Sequence, residues 1–443
     1  MSQPPWPLTS SDNSRKALLL PGRTAGRKNQ PSPATANRAD AAFASEDAFP
    51  IVCFCHLGWD WVWQRPQQYL SRFAQRHPVL FVELYRSDVA ESRIELKQPD
   101  AHPKVTVLQL HLPAARWDEP HFIDNERRRV LQEALENQLA GQFENPLLWF
   151  YDPMAVTAYA GQLDERAIVY DCMDELSQFR GAPPALVARE RELLEKADLV
   201  FCGGQKMRRK RLSINSNTHF FGTGVDIAHF GKALAPDQEL APEIAALQGA
   251  PVLGYFGVID ERIDYALVAA LADARPDWHV MMVGPTAKVD PAEFPQRKNL
   301  HWIGARTYAQ LPALTKGFSV ALMPFALNAA TEYINPTKAL EYMAAGRPVV
   351  STALDEVKMN FGKVARIARS HAEFVKLCAA EVAKPSRARI ERGIKLAAEN
   401  TWDANVAKME RHIAEALAAR TAQGETTEIS AETTTPLTNL AYV

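Results

Sequence analysis

Short apolar runs recur along the chain, and between them the apolar positions fall into helical spacing. The runs are "IVCFCH" from Ile51, "VLFVEL" from Val79, "VTVLQL" from Val105, "LLWFYD" from Leu147, "AIVYDC" from Ala167 and "DLVFCGG" from Asp198. Helix-like stretches such as "RPQQYLSRFAQ" and "PALVARERELLEKA" come after them. Runs that are apolar at successive rather than alternate positions belong to strands buried on both faces, the condition of a parallel sheet covered by helices. This predicts a Rossmann-like domain over 48–225. A loose stretch over 226–250 reads as a linker, and the pattern then restarts with "VLGYFGV" (252), "HVMMVGP" (279), "LHWIGA" (300), "SVALMPF" (319), "PVVST" (348) and "VARIA" (364). A second domain is therefore expected over 251–400, followed by an amphipathic last helix over 401–420. The expected fold class is α/β, with two doubly wound Rossmann-like domains facing across a cleft. In open α/β sheets ligands bind beyond the carboxyl ends of the strands, so the strand-to-helix loops are where function is sought.

The segments outside this pattern carry no hydrophobic period. Residues 1–47, rich in Pro, Ser, Ala and Arg, and residues 421–443, rich in Thr, read as disordered tails. The charge is nearly balanced, with 50 Lys and Arg against 52 Asp and Glu, so no global field draws the chain to nucleic acid. Cys53, Cys55, Cys172, Cys202 and Cys378 lack zinc-ligand spacing, and four of them lie in the apolar runs, which reads as reduced core thiols in a cytoplasmic protein. No apolar run approaches the ~20 residues of a membrane span.

Candidate chemistry gathers in the loops. At 335–352, "NPTKALEYMAAGRPVVST" comes after a strand and a polar loop. Asn335 and Pro336 form a helix-start signal as N-cap and first helical residue, and Gly346 with Pro348 stops the helix. Thr337 is next, and Lys338 falls at about the third helical position. There the positive end of the helix dipole disfavours a lysine by about 0.3 kcal/mol or more. A bound phosphate reverses that sign, because free amides and a lysine converge on one anion. Glu341 lies on the same face three residues on, and beside a phosphate its use is to accept hydrogen bonds from sugar hydroxyls. The plainer alternative is an exposed Lys/Glu pair worth under about 0.5 kcal/mol.

In "GYFGVIDER", Gly257 lets backbone amides approach a ligand, Gly254 fits either that role or close packing, and Arg262 can fork onto phosphate oxygens. In the first domain His56 ends the first strand, and "LGWDWVWQRP" leads into a helix beginning near Pro66. Arg65 repeats the logic of Lys338, while Trp59, Trp61 and Trp63 alternate with Asp60 between them and can either pave a sugar-stacking surface or bridge core and loop. Asp171 and Asp174 in "YDCMDE" read as loop caps and hydrogen-bond anchors. "KMRRKRL" places Lys206, Arg208, Arg209, Lys210 and Arg211 on a helix, either as a peripheral contact for anionic lipid at the inner face of the membrane or as a solvated face.

"NPTKALEYMAAGRPVVS" resembles the nucleotide-sugar segment of GT-B glycosyltransferases of glycosyltransferase family 4 (group 1), in the branch with an Asn/Ser-Pro-x-Lys-x-x-Glu-Tyr motif. The resemblance covers most of residues 50–415 and includes "GYFGVIDERIDYALVAAL", "LHWIGARTYAQLPAL", "GVDIAHF" at 224–230 and "HLGWDWVWQRPQQYL". It implies that Glu341 holds the donor ribose hydroxyls and that Lys338 and Arg262 hold its pyrophosphate. It places Ile303 and Gly304 near the base, with Asn335, Pro336, Thr337 and Gly257 lining the donor. The family motif has a second glutamate eight residues before the first, and here that position is Tyr333, with Glu332 one residue off.

The expected function is transfer of a sugar from a nucleotide-sugar donor to a glycan or lipid-linked acceptor in bacterial surface polysaccharide synthesis, with retention of configuration implied by the resemblance. Trp59, Asp60 and Arg65 are the candidate acceptor contacts, and His56, Asp60 and Glu332 the candidate catalytic groups. No metal or other cofactor is expected, because no Asp-x-Asp signature precedes a donor loop and the helix start with Lys338 and Arg262 can stabilise a leaving diphosphate. The alternatives are a nucleotide-sugar epimerase of the same fold and a catalytically silent partner subunit. A dinucleotide dehydrogenase is disfavoured, since neither domain has G-x-G-x-x-G after its first strand.

Overall fold

The computed structural model of the protein describes residues 8–9 and 48–432, apart from 62, 180, 329 and 330. The expected tail over 1–47 thus lies outside the described residues except for a two-residue strand, β1 (Leu8–Thr9). Of the expected tail over 421–443, residues 433–443 lie outside them as well. The chain divides into two compact units, 4–166 and 167–443.

The first unit contains β2 (Ile51–Cys55), β3 (Val79–Ser87), β4 (Arg93–Lys97), β5 (Val105–Pro113) and β6 (Leu147–Phe150), in the order β4-β5-β3-β2-β6. Every pairing along this order is parallel except that of β4 with β5. All five residues of β2 and all four of β6 are buried, as strands covered on both faces require. The antiparallel edge strand β4 is not in the apolar pattern because "RIELK" is almost wholly exposed, and charged edge strands resist pairing with other chains.

The second unit begins with β7 (Ala167–Cys172), β8 (Leu199–Cys202) and β9 (Thr218–Phe220), paired in parallel in that order. It continues with β10 (Val252–Phe256), β11 (His279–Val283), β12 (Leu300–Gly304), β13 (Val320–Met323), β14 (Val349–Thr352) and β15 (Arg366–Ala368). These form an all-parallel sheet of order β12-β11-β10-β13-β14-β15. The reversal of direction beside β10 is a switch point of the kind at which doubly wound sheets bind ligands. One continuous apolar core surrounds this sheet, from Val225 to Ala397.

The compact units divide at 166/167 and not in the 226–250 stretch, because β7–β9 are tied to the C-terminal part of the chain. The last helix packs on β7 and β8, Arg420 Nη1 reaches Asp198 Oδ2 at 2.7 Å, and Val225 bridges to Thr401. The 226–250 stretch itself holds the short helices Ile227–Phe230 and Pro242–Ala245. The last helix runs Trp402–Glu432 and so continues past 420 into the threonine-rich segment. Extending a formed helix costs far less than starting one, and the alanines and glutamates there favour it.

Among the described residues no helix is long and apolar enough to cross a membrane. All five cysteines are buried and in no disulfide, four in β2, β7 and β8 and Cys378 in the helix His371–Ala383.

Candidate functional site

The second unit brings a row of glycines to the carboxyl ends of three neighbouring strands. Gly257 N donates to Val283 O at 2.9 Å and Gly284 N to Gly304 O at 3.0 Å, so the ends of β10, β11 and β12 are stitched side by side. Gly257 has φ +148° and Gly284 φ +152°, a region that side-chain-bearing residues rarely enter. A Cβ on Gly284 would lie 1.7 Å from Gly257 O, and one on Gly257 would lie 2.6 Å from the Tyr255 hydroxyl and 3.0 Å from Lys338 Cε. Gly284 was not among the expected site residues, although the "VGP" after β11 carries the same strand-end glycine signal as "FGV" after β10. Gly254 serves packing, since a Cβ there would fall 2.2 Å from the Phe318 ring. Gly284→Ala is expected to destabilise the protein by ~3 kcal/mol or more, through both clash and backbone strain, read as a lowered unfolding midpoint in urea.

The opening helix of the motif starts later than expected. It spans Lys338–Ala344, with Thr337 in the cap position and Lys338 as its first residue. Asn335 does not cap it because its side chain is engaged elsewhere: Nδ2 donates to Gly203 O at 3.0 Å and Oδ1 accepts from Asn360 Nδ2 at 3.3 Å. Lys338 is still in the first turn, and Pro336 O accepts from Ala339 N at 3.4 Å. The Lys338 ammonium lies 3.2 Å from Thr337 Oγ1, 3.5 Å from Glu341 Oε2 and 5.7 Å from the Phe256 ring centroid. Glu341 Oε2 is buried and accepts no hydrogen bond among the described residues. A carboxylate oxygen in that state is prepared for a donor the protein itself does not supply. The charge of Glu341 is also felt by His229, in the "GVDIAHF" stretch, whose ring stacks on Tyr308 at 3.8 Å. Burial lowers the His229 pKa, against hydrogen bonding to Tyr308 O that raises it.

Arg262 stands on the loop after β10, held by Asp260: Nε lies 2.9 Å from both carboxylate oxygens and Nη2 2.6 Å from Oδ2. Its Nη1 takes no partner among the described residues, and Asp174 lies close enough to act on its charge. Ile303 O accepts from Arg306 Nη1 at 2.9 Å, and Gly304 ends β12 with φ +74°. Lys338, Glu341, Gly257, Arg262, Asn335, Pro336 and Thr337 thus lie on loops or in a first helical turn that follows a strand of this unit, and Ile303 and Gly304 are the last two residues of β12.

Glu332 and Tyr333 are occupied by the basic helix Gln205–Arg211. Lys206 Nζ is 3.0 Å from Glu332 Oε1 and 3.1 Å from Asp355 Oδ2, and Lys210 Nζ is 2.5 Å from the Tyr333 hydroxyl. Glu356, which is 1% exposed and was not foreseen, accepts from Gln205 N at 3.0 Å and Lys206 N at 2.7 Å, so a carboxylate of one element satisfies the helix start of another. Arg208 Nε donates to Thr218 O, and the buried Arg211 pairs with Glu175 and Glu190 at 2.7–3.0 Å. Four of the five cations thus serve contacts within the chain, while Arg209 and Lys210 are exposed and Arg209 has no partner among the described residues.

In the first unit, the helix Arg65–Phe73 begins at Arg65, whose guanidinium lies over the Tyr69 ring at 4.8 Å. Trp59 is 3% exposed, its ring among Trp63, Phe81 and His102, and its backbone N–H donates to Oε1 of the buried Glu83 at 2.5 Å. Trp59 is therefore core, whereas Trp61 and Trp63 are 44% and 43% exposed. Asp60 is exposed beside them. His56 keeps only a partly exposed edge, and burial pushes its pKa down to about 4 against the hydrogen bond with Tyr151 O at 3.2 Å. It is neutral at pH 7, and with Nδ1 donating to that carbonyl its Nε2 is left as an acceptor. Among the described residues no group of three or more His, Cys, Asp or Glu is arranged to hold a metal ion.

Residues 250–376 match the family model described as Glycosyl transferases group 1. The chain is 27% identical over 207 residues, 42% of its length, to the "Putative teichuronic acid biosynthesis glycosyltransferase TuaH" of Bacillus subtilis (strain 168), and spans half the length of that curated relative. Among solved structures it resembles sucrose-phosphate synthase from Thermosynechococcus elongatus, with TM-score 0.61, 14% identity and 84% of this chain aligned to 100% of that one. It also resembles Anabaena Alr3699/HepE in complex with UDP, with TM-score 0.57, 15% identity and the same coverage. At such identity these likenesses concern the fold, which is GT-B: two Rossmann-like α/β domains with parallel sheets.

Proposed function

We propose that the protein is a glycosyltransferase that moves a sugar from a nucleotide-sugar donor to a glycan or lipid-linked acceptor, with retention of configuration, in bacterial surface polysaccharide synthesis. The observation that carries the reading is the buried Glu341 oxygen that accepts no hydrogen bond, beside Lys338 and the side-chain-free Gly257, at the switch point of a glycosyltransferase group 1 domain. In this reading Glu341 accepts from the two ribose hydroxyls, and Lys338 with the open edge of Arg262 neutralises the diphosphate as it leaves. The strand-end glycines let the backbone come close to the nucleotide, with Ile303 and Gly304 by the base. The structure of Alr3699/HepE with UDP supports a uridine nucleotide as the first donor to try, and the TuaH likeness supports a polysaccharide acceptor.

Trp61, Trp63, Asp60 and Arg65 make the acceptor side of this reading, with neutral His56 as a proton acceptor or hydrogen-bond partner. The test is to incubate the purified protein with UDP-, GDP- and dTDP-sugars and track nucleoside diphosphate release. Release from one base class, stimulated by a glycan or lipid-linked acceptor, is the expected outcome. Conversion of the donor to an epimer without nucleotide release would replace the transferase reading with the epimerase one.

A further inference from the structure

A second candidate site lies in the first unit and is lined by none of the residues assigned above. A cavity of about 640 Å³ opens between the edge strand β4 and the helix Pro120–Asn137. Its volume falls within the range of small-molecule sites. β4 runs antiparallel to β5, with Arg93 opposite His111, and Ser87 of β3 lies opposite Pro113. The cavity walls at 90–94 and at Pro113 and Arg116 are therefore at the carboxyl end of β3 and β5, the end at which α/β sheets take ligands.

The lining is polar and balanced in charge, with Arg93, Arg116 and Arg129 against Glu91, Glu126 and Glu133. The guanidiniums are already engaged. Arg129 holds Glu126 through Nε and Nη2 at 3.0 and 2.6 Å and Glu133 through Nη1 at 2.6 Å, Arg116 forks onto Glu119 at 3.0 and 2.6 Å, and Arg93 pairs with Glu95 at 2.5 Å. With the partners Glu95 and Glu119 counted, five carboxylates face the three guanidiniums, so no positive field is left to draw an anion, and the carboxylates keep lone pairs in fixed directions, which suits hydroxyls that donate and accept at once. Beside them the Arg116 guanidinium lies over the Phe122 ring at 3.6 Å, a flat and weakly hydrated surface on which the C–H face of a pyranose can pack.

We propose that this cavity binds a neutral stretch of glycan. Resting on the transferase reading, the stretch is a part of the acceptor chain distant from the reacting sugar, so the acceptor is an oligomer and not a single sugar. Remote contacts of this kind hold a growing chain without touching the chemistry.

The test is calorimetric titration of the full chain with maltohexaose, cellohexaose and chitohexaose, and with a hyaluronan hexasaccharide as the acidic arm. At least one neutral hexasaccharide is expected to bind, with affinity reduced about tenfold or more in Arg129→Ala and Phe122→Ala and less in Glu133→Gln. Thermal unfolding identifies any variant that fails to fold, and Glu133→Gln, on an exposed helix face, keeps the comparison open if Phe122→Ala does. Nucleotide-sugar binding, measured on the same samples, is expected to be unchanged, and it separates failure of the cavity from failure of the transferase reading. Binding of no neutral hexasaccharide, binding of the acidic one alone, or neutral binding indifferent to all three variants would overturn the proposal.

Discussion

Glu341→Ala is expected to weaken nucleotide-sugar binding by about 100-fold or more while leaving the unfolding midpoint unchanged or slightly raised. Two hydrogen bonds from ribose hydroxyls to a carboxylate are worth ~1.5 kcal/mol each or more, and ~3 kcal/mol is a factor of about 150 in affinity. The folded protein loses little, because among the described residues the buried Glu341 Oε2 accepts no hydrogen bond and pairs with Lys338 Nζ only at 3.5 Å. Removing an unsatisfied buried group can even stabilise. Lys338→Ala is expected to abolish donor binding too, through the diphosphate. Calorimetric titration of both variants, with thermal unfolding alongside, checks the pair. Were Glu341 and Lys338 only a helix-surface ion pair, both variants would bind the donor as the wild type does.

Arg211→Ala is expected to destabilise the protein by ~3–5 kcal/mol, the cost of breaking a buried ion pair by removing one partner. Arg211 is 3% exposed, and its guanidinium holds Glu175 through two bonds and Glu190 through one. Without it two carboxylates face each other in a low-dielectric site. The wild type should carry a pH signature of the pair. Burial pushes the Glu175 carboxyl up, but the hydrogen bonds and charge of Arg211 outweigh burial and hold it below the ordinary range. A carboxyl whose folded pKa is depressed contributes stability that is present above its unfolded pKa and lost as pH falls through the folded one. The wild-type urea midpoint should thus fall on acidification below the ordinary glutamate range, and the Arg211→Ala midpoint should fall less steeply there.

The parallel strands could be read from the sequence because burial on both faces writes itself into consecutive residues. Every quoted apolar run folds as a strand, down to Arg366–Ala368 in "VARIA". β4 could not be read that way, since "RIELK" is exposed and offers no apolar run. Motif residues were legible where the backbone carried the signal, as at Gly257 and at the helix start near Lys338. The helix start was misplaced because local chemistry could not show that Asn335 is claimed by Gly203 and Asn360, far away in sequence. The same limit hid the partners of the basic helix, because Glu332, Asp355 and Glu356 lie more than a hundred residues from it. Trp59, Trp61 and Trp63 look alike in a pattern of alternation, and only packing separates the buried first from the exposed other two.

The central claim is that Glu341 and Lys338 hold a nucleotide-sugar donor. Its most direct test is calorimetric titration of the full chain with UDP-, GDP- and dTDP-sugars, wild type against Glu341→Ala. The account predicts saturable one-to-one binding of at least one of these donors by the wild type, and its loss in the variant at unchanged stability. No binding of any nucleotide sugar by the wild type, or equal binding by both proteins, would contradict it.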